Sequence, residues 1–103
     1  MLGGMATDTY RLSPQARRDL EGIWRYTLTN WSQAQADRYH QSIVDEIKAL
    51  ASGQKAGRAS SVLDGLLKRS CGSHVIYYRD LPDRLVVIRI LHSAQDVERH
   101  LHD

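Results

Sequence analysis

The stretch Arg84-Leu85-Val86-Val87-Ile88-Arg89-Ile90-Leu91-His92 is the longest β-branched apolar run in the chain. It predicts a strand covered on both faces. Strand alternation places Val86, Ile88 and Ile90 on one side. Leu85, Val87, Arg89 and Leu91 fall on the other, apolar except for its arginine. The first side is expected to bury under helices and the second to be a binding surface. Just upstream, His74 to Asp80 predicts a second strand, joined to the first by a tight hairpin at Leu81-Pro82-Asp83. Leu66 to Cys71 predicts a third, turned by Gly72-Ser73. Thr9 to Ser13 is short and alternating, with Tyr10 and Leu12 on one side, and predicts a fourth.

Between these strands the period changes from two to about three and a half. Ser13-Pro14 has the form of an N-cap followed by proline at the first helical position. Ala16, Leu20, Ile23, Trp24, Thr27, Leu28 and Trp31 then recur at three- and four-residue steps, with Arg17, Arg18, Asp19, Glu21 and Arg25 opposite as a solvated face. After a break at Asn30-Trp31, Ser32-Gln33-Ala34-Gln35 fits a capping box. A second stripe of Ala36, Tyr39, His40, Ile43, Ile47 and Leu50 ends near Ser52-Gly53. The short connection implies an antiparallel helix pair. Gln54 to Gly65 reads as loop, and Ser93 to Asp96 as a cap for a last helical turn or two carrying Val97 and Leu101. The order β-α-α-β-β-β-α predicts an α+β domain, a mostly antiparallel four-stranded sheet with a helical hairpin packed on one face. Residues 1–8 are expected to be a flexible lead-in and residues 9–103 the domain.

At 103 residues there is room for one core. The net charge of +2 argues against a broadly basic nucleic-acid coat, while leaving room for a local patch. A single cysteine, Cys71, excludes an internal disulfide and suits a reducing compartment. No apolar run approaches the ~18 residues of a membrane span. The opening residues lack the basic and apolar regions of a signal peptide.

With helices on one sheet face, the other face is left with Tyr77, Leu85, Val87 and Leu91, an apolar surface of the kind that marks an interaction site. Arg79 shares parity with Val75 and Tyr77, and Arg89 with Leu85 and Val87. Lys68 or Arg69, depending on register, and Arg11 could join them, with Arg58 nearby on the loop. Such a face could hold RNA phosphates, grip an acidic, apolar peptide, or be ordinary arginines lying flat on strands. For acid–base chemistry His92 is the best-placed group. However, without a bulge it points away from Arg89. No carboxylate pair or serine–histidine–aspartate pattern stands out. His100 and His102 are spaced so that they do not share a helix face, so no metal or cofactor is expected.

The chain resembles the ParE toxins of the ParE/RelE superfamily. The resemblance rests on Tyr10-Arg11-Leu12-Ser13, Ile23-Trp24-Arg25-Tyr26 ahead of Trp31, and Gly57-Arg58. It continues through Gly72-Ser73-His74-Val75-Ile76-Tyr77-Tyr78-Arg79 and Val87 to Val97, and spans about Tyr10 to Leu101. It implies a cytoplasmic toxin of a type II toxin–antitoxin system, of the plasmid-stabilisation kind. The toxin would be neutralised by a ParD-like antitoxin, which alone would touch operator DNA. It also implies DNA gyrase as the target, inhibited by binding without catalysis. Tyr77, Arg79, Leu85, Val87, Arg89 and Leu91 would then meet the antitoxin. RelE-type relatives are ribosome-dependent mRNA endoribonucleases, and the alternative reading uses His92 with Arg58 and Arg79 around the scissile phosphate. Against it, Ser93-Ala94-Gln95-Asp96 puts an acid where those enzymes place cations, and no tyrosine follows Tyr78. A third reading is a family member without toxicity that still binds antitoxin.

Overall fold

A computed structural model describes residues 9–95. The lead-in at 1–8 and the expected helical turn around Val97 and Leu101 lie outside the described residues. The observed order is β1 (Tyr10–Leu12), α1 (Pro14–Asn30), α2 (Gln33–Ser52), β2 (Arg58–Ala59), β3 (Leu67–Cys71), β4 (His74–Asp80) and β5 (Leu85–His92). The class is α+β as expected, but the sheet has five strands in the order β1-β5-β4-β3-β2. The additional strand is β2, two residues inside the stretch expected to be loop. A strand that short has no periodicity to detect. The sheet is mixed, because β1 runs parallel to β5 while the other pairings are antiparallel.

Both helix starts follow from their caps. The Ser13 hydroxyl accepts from the Ala16 N–H at 2.9 Å and donates to the Ile88 carbonyl at 2.7 Å, so one side chain starts α1 and ties it to β5. The Ser32 hydroxyl accepts from the Gln35 N–H and starts α2. Gly53, at φ +84°, ends it in the left-handed conformation that glycine adopts at little cost. The Trp24 indole donates to Asp37 at 2.9 Å and joins the two helices.

The helices bury Ala16, Leu20, Ile43, Ile47 and Leu50 against Ile76, Tyr78, Leu85, Val87 and Ile90 of the sheet. This corrects the expected facing of β5. Leu85 and Val87 lie under the helices at 0% exposure instead of on an open face. Their neighbours on β1 are Tyr10 and Leu12, which pack on the same core. A β-bulge then resets the alternation. Tyr78 opposes Val87 and Tyr77 opposes Arg89, leaving Ile88 without a partner on β4. Val87 and Ile90 can therefore share the helix side although they are three positions apart.

The opposite face is not bare either. Tyr77 and Leu91 are 2% and 1% exposed and cluster with Leu66, with Leu63, Val75 and Ile88 packed around them. The segment between β2 and β3 supplies Leu63 and Leu66 to this second, smaller core. The first helix also differs from its predicted stripe at its end. Leu28 and Trp31 are exposed there, as is Tyr26.

Candidate functional site

Register decides which cations share the face away from the helices. Arg11 pairs with Val86, which pairs with Arg79. One row along, Arg58 pairs with Lys68, which pairs with Tyr77. Directly opposed residues project to one side, and Tyr77 and Arg79 are two apart on one strand. Arg11, Arg58, Lys68 and Arg79 therefore occupy the same face, beside the partly exposed Val75, Val86 and Ile88. Like charges directly opposed, as in Arg58 and Lys68, destabilise a sheet unless something neutralises them. None of these four cations has an acidic partner among the described residues.

Two glycines seat these groups. A Cβ on Gly57 would lie 2.4 Å from the Lys68 carbonyl oxygen and 2.6 Å from the Tyr78 hydroxyl. Without one, the Gly57 N–H donates to that hydroxyl at 2.7 Å and lays Arg58 against β3. Gly65, at φ +75°, would place a Cβ 2.9 Å from Arg79 Nη1. Arg79 Nη1 instead donates to the Asp64 carbonyl at 3.2 Å.

Arg69 has the other parity and turns towards α2. Its Nε meets Glu46 at 2.7 Å, and Lys55 reaches the same carboxylate at 2.9 Å. Burial would raise the Glu46 carboxyl, but the hydrogen bonds from Lys55 and Arg69 outweigh it and hold the group below its usual range. Arg89 is likewise diverted from the expected site. Asp19 on α1 takes both Nε at 2.8 Å and Nη2 at 3.0 Å, and also accepts the Ile90 N–H at 2.9 Å. Those hydrogen bonds hold the guanidinium proton more firmly than usual.

Of the six residues expected to meet a partner, Arg79 alone is both partly exposed and on the face away from the helices. Tyr77, Leu85, Val87 and Leu91 are buried, and Arg89 is paired inside the fold. The nuclease trio is not brought together. Arg58 and Arg79 lie on the cationic face, whereas His92 opposes His74 on the helix side. Sequence reasoning missed Asp19, placed with the solvated side of α1. The detectable signal was its position beside Leu20 and three residues after Ala16, both core.

A groove of about 1120 Å³ opens on the helix side, between α1, α2 and the ends of β4 and β5. It exists because β1 pairs β5 only as far as Val87. Beyond that point the strand's free N–H groups are met by side chains, Asp19 for Ile90 and Gln95 for His92. On its floor the Tyr39 hydroxyl lies 2.7 Å from His74 Nδ1 and accepts the Ser73 N–H at 3.0 Å. Gly72, at φ +59°, makes room for the Tyr39 ring, which lies 2.7 Å from where its Cβ would be. The His74 and His92 rings meet edge to face at 5.4 Å. Burial, and then the neighbouring His92, push the His74 imidazole down. Burial first, and then Glu46, push up the half-buried Cys71 thiol. Among the described residues no group of three or more His, Cys, Asp or Glu side chains could hold a metal ion. No described helix is long and apolar enough to cross a membrane.

The fold is thus a helical hairpin on one face of a small mixed sheet whose opposite face is cationic. The family described as "ParE toxin of type II toxin-antitoxin system, parDE" matches residues 10–97. Toxin ParE1 of Mycobacterium tuberculosis is 37% identical over 94 residues, covering 89% of this chain and 96% of that protein. Toxin RelE3 of Caulobacter vibrioides is 38% identical over 86 residues, covering 82% and 92%. A solved structure of the chromosomal ParDE TA system from P. aeruginosa superposes with a TM-score of 0.74 at 21% identity, covering 87% of this chain and 98% of that one. The chain belongs to the ParE toxin family of type II toxin–antitoxin systems.

Proposed function

We propose that this chain acts in the cytoplasm as a toxin that inhibits DNA gyrase by binding it. A ParD-like antitoxin encoded beside it would keep it silent, and the pair would meet operator DNA only through the antitoxin. The antitoxin would contribute an acidic, apolar segment that lies across Arg11, Arg58, Lys68 and Arg79 and covers Val75, Val86 and Ile88. The observation that carries this reading is the cationic face itself. Four basic side chains on one sheet face lack acidic partners among the described residues, and two of them directly oppose each other. A segment that folds on binding can neutralise such a surface and bury its apolar neighbours in one step. A solved structure that shares this fold is described as a chromosomal ParDE TA system, which supports such a partner.

The 38% identity to a protein named RelE3 favours a second reading, mRNA cleavage on the ribosome. The separation of His92 from Arg58 and Arg79 weighs against it, because proton transfer needs the groups within hydrogen-bond reach of one phosphate. One experiment separates the two. The chain is expressed without antitoxin, transcripts are followed by primer extension, and purified protein is added to a gyrase supercoiling assay. Gyrase inhibition with intact transcripts is expected. Cleaved transcripts with unimpaired supercoiling would replace the first reading with the second.

A further inference from the structure

At the β5 end the groove on the helix side is bordered by Gln95, part of a turn from Ser93 to Gln95 that folds back on His92. Three hydrogen bonds hold the turn there. The Gln95 N–H donates to the His92 carbonyl at 2.9 Å, and the His92 N–H donates to Gln95 Oε1 at 2.5 Å. The Ala94 N–H donates to the ring itself, at His92 Nδ1, over 3.1 Å. The start of the turn is anchored elsewhere. The Ser93 N–H donates to the Ser73 carbonyl at 2.9 Å, and the Ser73 N–H donates to the Tyr39 hydroxyl on α2 at 3.0 Å. Ser93 is therefore a fixed hinge, while Ala94 and Gln95 hang from His92.

The Ala94 bond exists in one protonation state of the ring. A neutral imidazole offers a lone pair at one nitrogen, whereas an imidazolium donates from both. A second proton on His92 sets two N–H groups against each other where the bond had been. The surroundings do not offset the new charge. The His74 ring meets His92 edge to face at 5.4 Å and is backed by the Tyr39 ring at 5.6 Å, with Cys71 of β3 directly opposite His74. Arg18 of α1 and Arg38 of α2 line the groove and add charge of the same sign. Asp19 is the one carboxylate lining it among the described residues, and its oxygens are already held by Arg89 and the Ile90 N–H.

We propose that His92 and the turn from Ser93 to Gln95 form an acid-operated strap across the β5 end of the groove. With the ring neutral the strap lies closed. With the ring protonated, Ala94 and Gln95 swing away about Ser93 and the groove gains an open end beside His74 and Ile90. The closed form is the one that lacks the extra proton, so raising the pH closes the strap and lowering it opens the strap. The device stands apart from the antitoxin and gyrase readings.

Nuclear magnetic resonance of the whole chain tests it, through amide exchange and imidazole nitrogen-15 shifts. Between pH 7.5 and 5.5, about one unit either side of an ordinary imidazole, the Ala94 protection factor should fall. The expected loss is about fivefold or more, the measure of one hydrogen bond, and Gln95 should follow. The Ser93 amide, which bonds outside the strap, should keep its protection. That separates a local opening from acid loosening of the whole fold. His92→Asn supplies the decisive comparison, because the asparagine Oδ1 accepts the N–H two residues on and does not titrate. The side chain at this position is exposed, so the variant keeps the core intact. It should hold the Ala94 and Gln95 amides at both pH values. Four results would overturn the proposal: undiminished Ala94 protection in the wild type at the lower pH; equal loss in the wild type and His92→Asn; loss at Ser93 in step with Ala94; or a protonated His92 Nδ1 at the higher pH.

Discussion

Asp19 and Arg89, 70 residues apart in sequence, form a two-pronged ion pair in which the carboxylate also accepts the Ile90 N–H. The two side chains are 15% and 18% exposed, and the pair locks α1 to β5 just past the bulge. Removing one partner from a largely buried pair leaves the other charge uncompensated. Asp19→Ala is therefore expected to destabilise the fold by about 3 kcal/mol in urea denaturation. Arg17→Ala, on the exposed side of the same helix, should change stability by less than about 0.5 kcal/mol. Asp19→Ala with Arg89→Ala should cost less than the sum of the single changes.

The approach of Gly57 to β3 sets the place of Arg58. Gly57→Ala forces a Cβ into the Lys68 carbonyl and the Tyr78 hydroxyl. An overpacked contact of this kind is expected to cost about 1–3 kcal/mol. Tyr78→Phe removes the acceptor for the Gly57 N–H and should cost about 1 kcal/mol. Denaturant midpoints measure both costs. Hydrogen exchange should show the Lys68 and Arg58 amides losing protection ahead of those in β4.

Stability should fall on mild acidification. His74 is neutral in the fold because burial, and then His92, lower its proton affinity. In the unfolded chain it titrates near the ordinary value of about 6.5. As pH drops through that value the unfolded state takes up a proton that the folded state refuses, so the contribution is complete above about 6.5 and is lost below it. Urea midpoints at pH 7.5 and 5.5, about one unit either side of the unfolded value, should differ more for the wild type than for His74→Gln. Equal differences would remove His74 as the cause.

Much of the fold was legible because its signals are local. Ser13-Pro14 and Ser32 fixed both helix starts, and the stripe containing Ile43, Ile47 and Leu50 fixed the buried side of α2. The facing of β5 was not legible. Both its sides are apolar, so periodicity could not choose between Leu85 and Val86, and the bulge at Ile88 leaves no mark in composition. The cationic face was half legible. Arg58 and Arg79 were named, but choosing Lys68 over Arg69 needed the register of β3 on β4. Arg89 looked available because its partner Asp19 sits on a different element, and one sequence carries no sign of such long-range pairing.

The most direct test of the account is the affinity of the antitoxin for the toxin carrying Lys68→Glu and Arg79→Glu, measured by calorimetry beside the wild type. Neither side chain belongs to either buried cluster, so the variant should fold. The account predicts a loss of about 30-fold or more, ~2 kcal/mol, together with a shallower dependence on salt. Unchanged affinity in a folded double variant would contradict it and move the antitoxin off this face.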